Sequence, residues 1–416
     1  MSGQIAATLR RRAADAWSSL RVRNYRSYFV GQSVSVVGTY MQLLATVYLT
    51  LHTTHSGTAL GVVTSARVLP VVVLGPMGGA IVDRFKTRIL LSGTQAAFAA
   101  GSIVFALLAA ADIASYPLIV VLSLAFGCVS VVDNPARQSF IAELVNRDQL
   151  PNAVVLNSVS LNVARILGSL VGGATVASLG ASLCFLLNAL SFLAVLASLG
   201  LMRPAEFTRQ SQTTTTRTAR PVRDGIRYAF STPSLAVPLL MVAVTGALAY
   251  EFPTSLPLLA SGAFHGTAGT YGAMTAAMAA GAVAGGIIAA ARAQPPTRAQ
   301  LATVCAGWGG MIVVAALMPS TWSACLALAF VGFGSVVFNA VAKTTLQLEA
   351  DPAYRGRVMA LWAIAWSGGS AVGAPLIGWV ADAFGSRWGL LVGGIPTGLL
   401  GIAVLLATVA VRRPAR

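Results

Sequence analysis

The sequence predicts an all-α membrane protein, with twelve transmembrane helices arranged as two pseudo-symmetric six-helix bundles. Three observations carry this expectation. The 416-residue chain is 56% hydrophobic and only 10% charged, with mean hydropathy +0.76, more apolar surface than a soluble core can hide. The apolar residues fall into twelve runs, each long enough to cross a bilayer. The second half of the chain echoes the first at a fixed spacing.

A spanning helix needs about 20 mostly apolar residues. Runs of that kind cover about 27–51, 59–82, 89–111, 117–136, 151–178 and 181–202 in the first half. The second half supplies about 234–260, 268–291, 300–318, 321–346, 357–384 and 388–411. This divides the chain into a basic tail (1–26), a first bundle (27–202), a linker (203–233), a second bundle (234–411) and a short tail (412–416). The linker contains QSQTTTTRTAR, which has few apolar anchors and cannot build a core.

A net charge of +16 could suggest nucleic acid, but the cations are not gathered on one soluble face. They lie in the N-tail (Arg10, Arg11, Arg12, Arg21, Arg23, Arg26), in alternate short loops, in the linker and in the C-tail. Only Arg387 falls in a loop on the other side; Arg67 and Arg165 fall well within spans, and Lys343, near the end of the tenth run, is counted with the loop cations that follow it. Cations concentrate on the cytoplasmic side of membrane proteins, so an even number of spans with both ends cytoplasmic is expected.

The repeat has three parts. SVVDN at 130–134 matches SVVFN at 335–339, an offset of 205. Gly168, Gly173 and Gly180 map onto Gly373, Gly378 and Gly385 at that offset. The pair Gly78-Gly79 falls near Gly285-Gly286. Two parallel six-helix halves are implied.

Several chemistries find no support. The four cysteines (Cys128, Cys184, Cys305, Cys325) lie singly in apolar runs, so neither a disulfide nor a zinc site is indicated. The spacing of His52 and His55 offers two metal ligands, too few for a site. No nucleophile elbow points to an enzyme, no cofactor is expected, and no secretory leader is seen ahead of the first run.

The stretch GGAIVDRFKTR, Gly78 to Arg88, lies between the second and third runs. It resembles the G-x-x-x-D-R-x-G-x-R loop of the major facilitator superfamily. Gly79, Asp83, Arg84 and Arg88 match, while Lys86 stands where that family usually has Gly. DNPARQSFIAELV (133–145), LPNAVVLNSVSLNVARILGSLVGG (150–173) and RGRVMAL (355–361) resemble the branch of enterobactin exporters and macrolide efflux carriers. The resemblance implies alternating access and outward movement of large, partly apolar metabolites or drugs, coupled to inward proton flow. In drug antiporters of this kind the fifth helix often carries Gly-Pro; here Ser169 follows Gly168, and the proline appears in the eleventh run at Pro375.

Within that frame, Asp83 with Arg84, Arg88, Asp133, Arg137, Arg355 and Arg357 is expected to form a cytoplasmic latch between halves. The alternative for Asp83 is a solvated turn acid. Asp133 and Arg137 are one helical turn apart. Arg67 and Arg165 sit near mid-depth, where a cation is costly unless it faces the interior or water. They could hold an anionic or oxygen-rich substrate, modulate a proton site, or pair structurally. Asn157, Ser158 and Asn162 could share the face of Arg165.

Glu251, in AYEFPTSLP, is the only carboxylate well inside a span. Pro253 and Pro257 break the helix around it, and it is the candidate proton carrier; pairing or reaching to the surface is the alternative. Tyr250, Phe252, Trp362 and Trp366 could line an apolar cavity. Asp382 is expected to pair with Arg387 near the outer end of the eleventh run. The spacings Gly168 to Gly172 and Gly281 to Gly285 permit close helix approach.

The expected function is proton-coupled export of a drug-like compound or siderophore. The expected partners are a small-molecule substrate, protons and membrane lipids, with the chain a monomer. Rival readings are an importer or uniporter of a small metabolite, and a non-transporting scaffold. Richness in Ala, Gly and Arg points to a bacterial inner membrane.

Overall fold

The computed structural model describes residues 18–146, 148–203, 222–290, 295–352 and 354–411. The threonine-rich run of the linker and the cations Arg10, Arg11, Arg12, Arg147, Arg209, Arg217, Arg220 and Arg292 lie outside them.

Twelve helices are long and apolar enough to cross a membrane. In the first half these are α1 Arg23–Thr54, α2 Gly57–Arg84, α3 Thr87–Ala110, α4 Tyr116–Leu144, α5 Leu150–Leu179 and α6 Ala181–Gly200. In the second they are α7 Pro233–Ala263, α8 Ala268–Ala290, α9 Arg298–Leu317, α10 Thr321–Glu349, α11 Arg355–Phe384 and α12 Trp388–Val411. A short helix, Val222–Ser231, precedes α7 and stacks Tyr228 on Tyr354 at the start of α11, ring centroids 4.4 Å apart.

Local chemistry sets the boundaries. Ser56 caps α2 by accepting a hydrogen bond from the Ala59 amide, and Thr297 and Ser320 open α9 and α10 with capping boxes. The repeat is visible in backbone angles. Gly180 (φ 87, ψ 167) separates α5 from α6, and its counterpart Gly385 (φ 104, ψ 154) ends α11 before α12. Both turns require a left-handed φ that favours glycine.

Packing within the halves follows the same repeat. Helix α2 packs on α4 as α8 packs on α10, and α1 on α5 as α7 packs on α11. Glycines set the closest approaches. Gly168 lies against the Val37 carbonyl and Tyr40 of α1, and Gly373, its repeat partner, against the Ala247 carbonyl of α7. Gly281 and Gly285 of α8 press on Ala329 and Phe333 of α10. The outer surface carries large apolar side chains such as Leu107, Leu201 and Trp322, as expected where the solvent is lipid.

The proline-rich stretch breaks α7. Its first segment ends at Leu248, Tyr250 and Glu251 are non-helical, and Phe252–Leu258 resumes the helix. Pro253 enters the first turn of the second segment, where its missing N–H costs nothing. Helix α11 is interrupted too, at Gly369 between Arg355–Gly368 and Ser370–Phe384. The sequence expectation did not include this second break.

With an even number of spans, both described ends lie at one face, here called the terminal face. The halves meet along two seams toward the opposite, far face. In one, Gly173 of α5 lies against Ala268, Gly269 and Gly272 of α8. In the other, Gly57 and Gly61 of α2 lie against Gly378 and Ala374 of α11. Asp382 crosses this second seam. One carboxylate oxygen accepts from the Gly57 amide (2.6 Å), the other from Ser56 Oγ (2.8 Å), Thr58 N (2.9 Å) and Thr58 Oγ1 (2.8 Å). Ser65 Oγ donates to the Ala371 carbonyl at 2.8 Å. Among the described residues no hydrogen bond joins the halves at the terminal face.

Two contacts differ from expectation at this level. Asp382 does not pair with Arg387; it caps the start of α2, whose free amides attract an anion. Arg387 donates instead to the carbonyls of Ala316 (2.6 Å) and Met318 (2.9 Å) at the end of α9.

Candidate functional site

Between the halves lies a cavity of about 850 Å³. Both halves supply its polar groups. Helix α5 contributes Asn162, Arg165 and Ser169; α10 contributes Ser335, Asn339 and Lys343; α11 contributes Trp362, Trp366 and Ser370. Each set runs along one helix face at three- or four-residue spacing. Tyr40, Tyr271, Thr275 and the broken segment of α7 complete the lining.

Glu251 occupies the break. It is 1% exposed, and among the described residues neither carboxyl oxygen has a hydrogen-bond partner; Ser370 is near enough to interact but lies outside hydrogen-bond geometry. Its backbone carbonyl accepts from Thr254 N (3.1 Å) and Ser255 N (2.9 Å), starting the second segment. The neighbouring Tyr250 fixes the aromatic wall. Its hydroxyl donates to the Ser335 carbonyl at 2.7 Å, and its ring lies 4.0 Å from Trp366 and 4.7 Å from Trp308. Trp362 and Trp366 stack at 5.9 Å, and Lys343 Nζ lies 5.1 Å from the Trp362 ring centroid.

Arg165 Nε donates to Tyr40 Oη at 3.2 Å, and its guanidinium lies 5.5 Å from the Tyr40 ring centroid. Asn162 donates to the Ser158 carbonyl one turn back, at 2.9 Å. Arg165, Asn162, Tyr250, Glu251, Trp362 and Trp366 thus share one cavity. Arg67 does not line it: its guanidinium rests over the Phe126 ring of α4 at 5.5 Å, inside the first half. Nor does Asn157, which lines a small crevice with Tyr28, Gln32 and Ser160. Ser158 is exposed on the rim.

The expected latch residues are not assembled in this conformation. Asp83 and Arg84 are exposed and, among the described residues, make no ion pair or hydrogen bond. Arg88 donates to the Leu199 carbonyl at 2.5 Å, closing the end of α6. Asp133 is buried, pairs with Arg137, and accepts from Thr94 Oγ1 and Gln95 Nε2, both at 2.8 Å. That network binds α3 to α4 within the first half. Arg355 is exposed, and Arg357 lies over the Tyr354 ring of its own half at 5.2 Å.

Sequence reasoning overlooked Lys343 by counting it with the loop cations. The signal was present: Ser335, Asn339 and Lys343 lie at i, i+4 and i+8; the first two belong to the repeated motif, and Lys343 stands one turn beyond it. Asp382, read as an interfacial stop, could not be traced to α2 from local sequence, because its partners lie more than 320 residues away.

Two six-helix halves around a central polar and aromatic cavity define the architecture of a membrane carrier. A family model described as "transmembrane secretion effector" matches residues 14–415. The chain belongs to that family, within the major facilitator superfamily of transporters, which are not enzymes.

Among its relatives, a staphyloferrin A transporter of Staphylococcus aureus is 25% identical over 254 residues, 60% of this chain and 62% of that protein. An uncharacterized MFS-type transporter, YfiS of Bacillus subtilis, is 27% identical over 51% of each chain. The chain therefore spans less than two thirds of these two relatives' length. An enterobactin exporter of Shigella flexneri is 24% identical across 94% of this chain and 92% of its own. Among solved structures, the nucleoside transporter NupG superposes with TM-score 0.74 at 13% identity, covering 93% of this chain and 99% of that one. A bacterial homolog of the human lysosomal transporter Spinster, inward-facing and unoccupied, superposes with TM-score 0.66 at 16% identity, covering 93% and 96%. These two show likeness of fold.

Proposed function

We propose that this protein is a secondary active transporter that exports a drug-like compound or siderophore by alternating access, driven by protons. It would work as a monomer in a bacterial inner membrane with both ends cytoplasmic. The observation that carries the reading is Glu251, a buried carboxyl without a hydrogen-bond partner in the lining of the central cavity. An ionisable group inside a membrane domain is costly, and it is kept where ions or protons must pass. Its place at a helix break lets small tilts of the second half change which side's water reaches it.

The staphyloferrin A transporter and the enterobactin exporter among the relatives support an iron-chelator-like cargo moving outward. With the ends cytoplasmic, the described conformation is inward-open. Asp83 and Arg84 then stand free on the open side, available to meet the start of α11 around Arg355 when that side closes. Asp83, Arg84 and Arg355 are the residues proposed for the latch, with Arg88, Asp133 and Arg137 holding the first half rigid behind them.

Everted membrane vesicles test the reading. An exporter accumulates labelled cargo when a proton gradient is imposed, and Glu251→Gln should abolish that accumulation while protein abundance stays normal. Gradient-driven accumulation undiminished in the variant would remove Glu251 from the coupling. Uptake in the opposite direction would favour an importer.

A further inference from the structure

We infer that the cavity takes an organic anion bearing an aromatic ring, gripped by Arg165 from the first half and Lys343 from the second. This rests on the central cavity being the substrate site. Among the described lining residues the charged groups are Arg165, Lys343 and Glu251. Among the described residues neither cation has a carboxylate partner. A membrane-embedded cation is ordinarily neutralised by a carboxylate or by carbonyls. Here each is steadied by a ring, Tyr40 for Arg165 and Trp362 for Lys343. An aromatic face lowers the cost of the charge without consuming its N–H donors.

The two cations therefore keep unspent donors directed at a shared space. Arg165 commits only Nε to a hydrogen bond, leaving the two terminal nitrogens of its fork, which suit a planar carboxylate or similar oxyanion. Beside them run the amides of Asn162 and Asn339, which can donate to further oxygens. The other wall, made by Tyr250, Trp362 and Trp366, offers ring faces that favour offset or edge contacts with a planar ligand. A volume of about 850 Å³ accommodates a drug-sized molecule.

The arrangement also couples recognition to the conformational cycle. Arg165 and Lys343 belong to different halves, so an anion between them attracts both and favours closing of the open side. Glu251 works against the anion by repulsion, so removing its charge should not weaken the grip.

The test uses the full chain in phosphatidylcholine nanodiscs, with equilibrium dialysis of three probes that share one ring system: 2-naphthoate, 2-naphthylmethylammonium and 2-naphthalenemethanol. The expected result is naphthoate held about tenfold more tightly than the cation and the alcohol. Arg165→Gln with Lys343→Gln should bring naphthoate down to the level of the alcohol. Arg165→Lys with Lys343→Arg, which keeps both charges, should preserve the ranking and controls for folding. Glu251→Gln should bind naphthoate at least as well as the parent. Because no gradient is applied, failure of proton coupling leaves these results standing, whereas failure here leaves the export reading intact. Equal or tighter binding of the ammonium probe, or a naphthoate preference that survives loss of both cations, overturns the inference. So does competition by phosphatidylglycerol at the Arg165- and Lys343-dependent site, which would make it a lipid-headgroup site.

Discussion

Asp382 gathers four hydrogen bonds on one carboxylate, all from the first turn of a helix in the other half. An N-terminal acceptor of this kind contributes about 1 kcal/mol, and the exposed position of Asp382 keeps it near that figure. In the proposed cycle this contact exists only while the far face is shut, so it would bias the conformational equilibrium. Asp382→Asn or Asp382→Ala should shift the population roughly fivefold toward the state open at the far face. Distance measurements between spin labels on the far ends of α2 and α11 would read this, and an unchanged distribution would show the contact to be decorative. Arg88 has a plainer role. Its loss, as Arg88→Met, removes the cap on the Leu199 carbonyl and should lower thermal stability by about 1 kcal/mol. The resemblance to a signature loop placed Arg88 in a latch between the halves; its contact here lies within the first half. The loop alone could not say that its partner would be the end of α6 instead of α11.

At the level of helices, two neighbouring glycines make opposite predictions. A side chain on Gly78 would meet the Val131 carbonyl of α4, whereas Gly79 faces open space. Gly78→Ala should destabilise the first half by about 2 kcal/mol through overpacking. Gly79→Ala should be neutral or stabilising by up to about 1 kcal/mol, the usual helix preference for alanine. Melting temperatures of the two variants, measured in the same detergent, separate them; equal losses would contradict the assigned packing. The example shows what was readable in the sequence. Twelve spans, the repeat and the break around Glu251 follow from hydropathy, spacing and proline chemistry, all local signals. Which of two adjacent glycines is pressed, or that Arg67 turns toward Phe126 while Arg165 turns toward Tyr40, depends on helix rotation. Rotation is set by packing against neighbours, and moments are weak in helices apolar on every side.

For the molecule as a whole, the far-face seams and the separated terminal face make accessibility directional. Cysteines placed at Val155 and Ser158, on the Asn162 face of α5, and at Ser367 of α11, which lines the cavity, should react with a membrane-impermeant maleimide added from the side of the chain ends. A cysteine at Gly173, pressed between α5 and α8, should not react from either side in this state. Labelling of Val155→Cys only from the opposite side would reverse the assigned opening. Adding a ligand that draws the halves together should slow reaction at these positions.

The two seams are built chiefly of glycine against main chain: Gly173 with Gly269 and Gly272, and Gly57 with Gly378. Glycine has no rotamers to lose, so engaging such a surface freezes little side-chain motion, and parting it liberates little. In the proposed cycle the free-energy difference between the two access states is then left to a few polar anchors and to wetting of the exposed backbone. A balance governed by so few terms can be tipped by one bound molecule or one proton, and its setting can be retuned by single substitutions without loss of the fold.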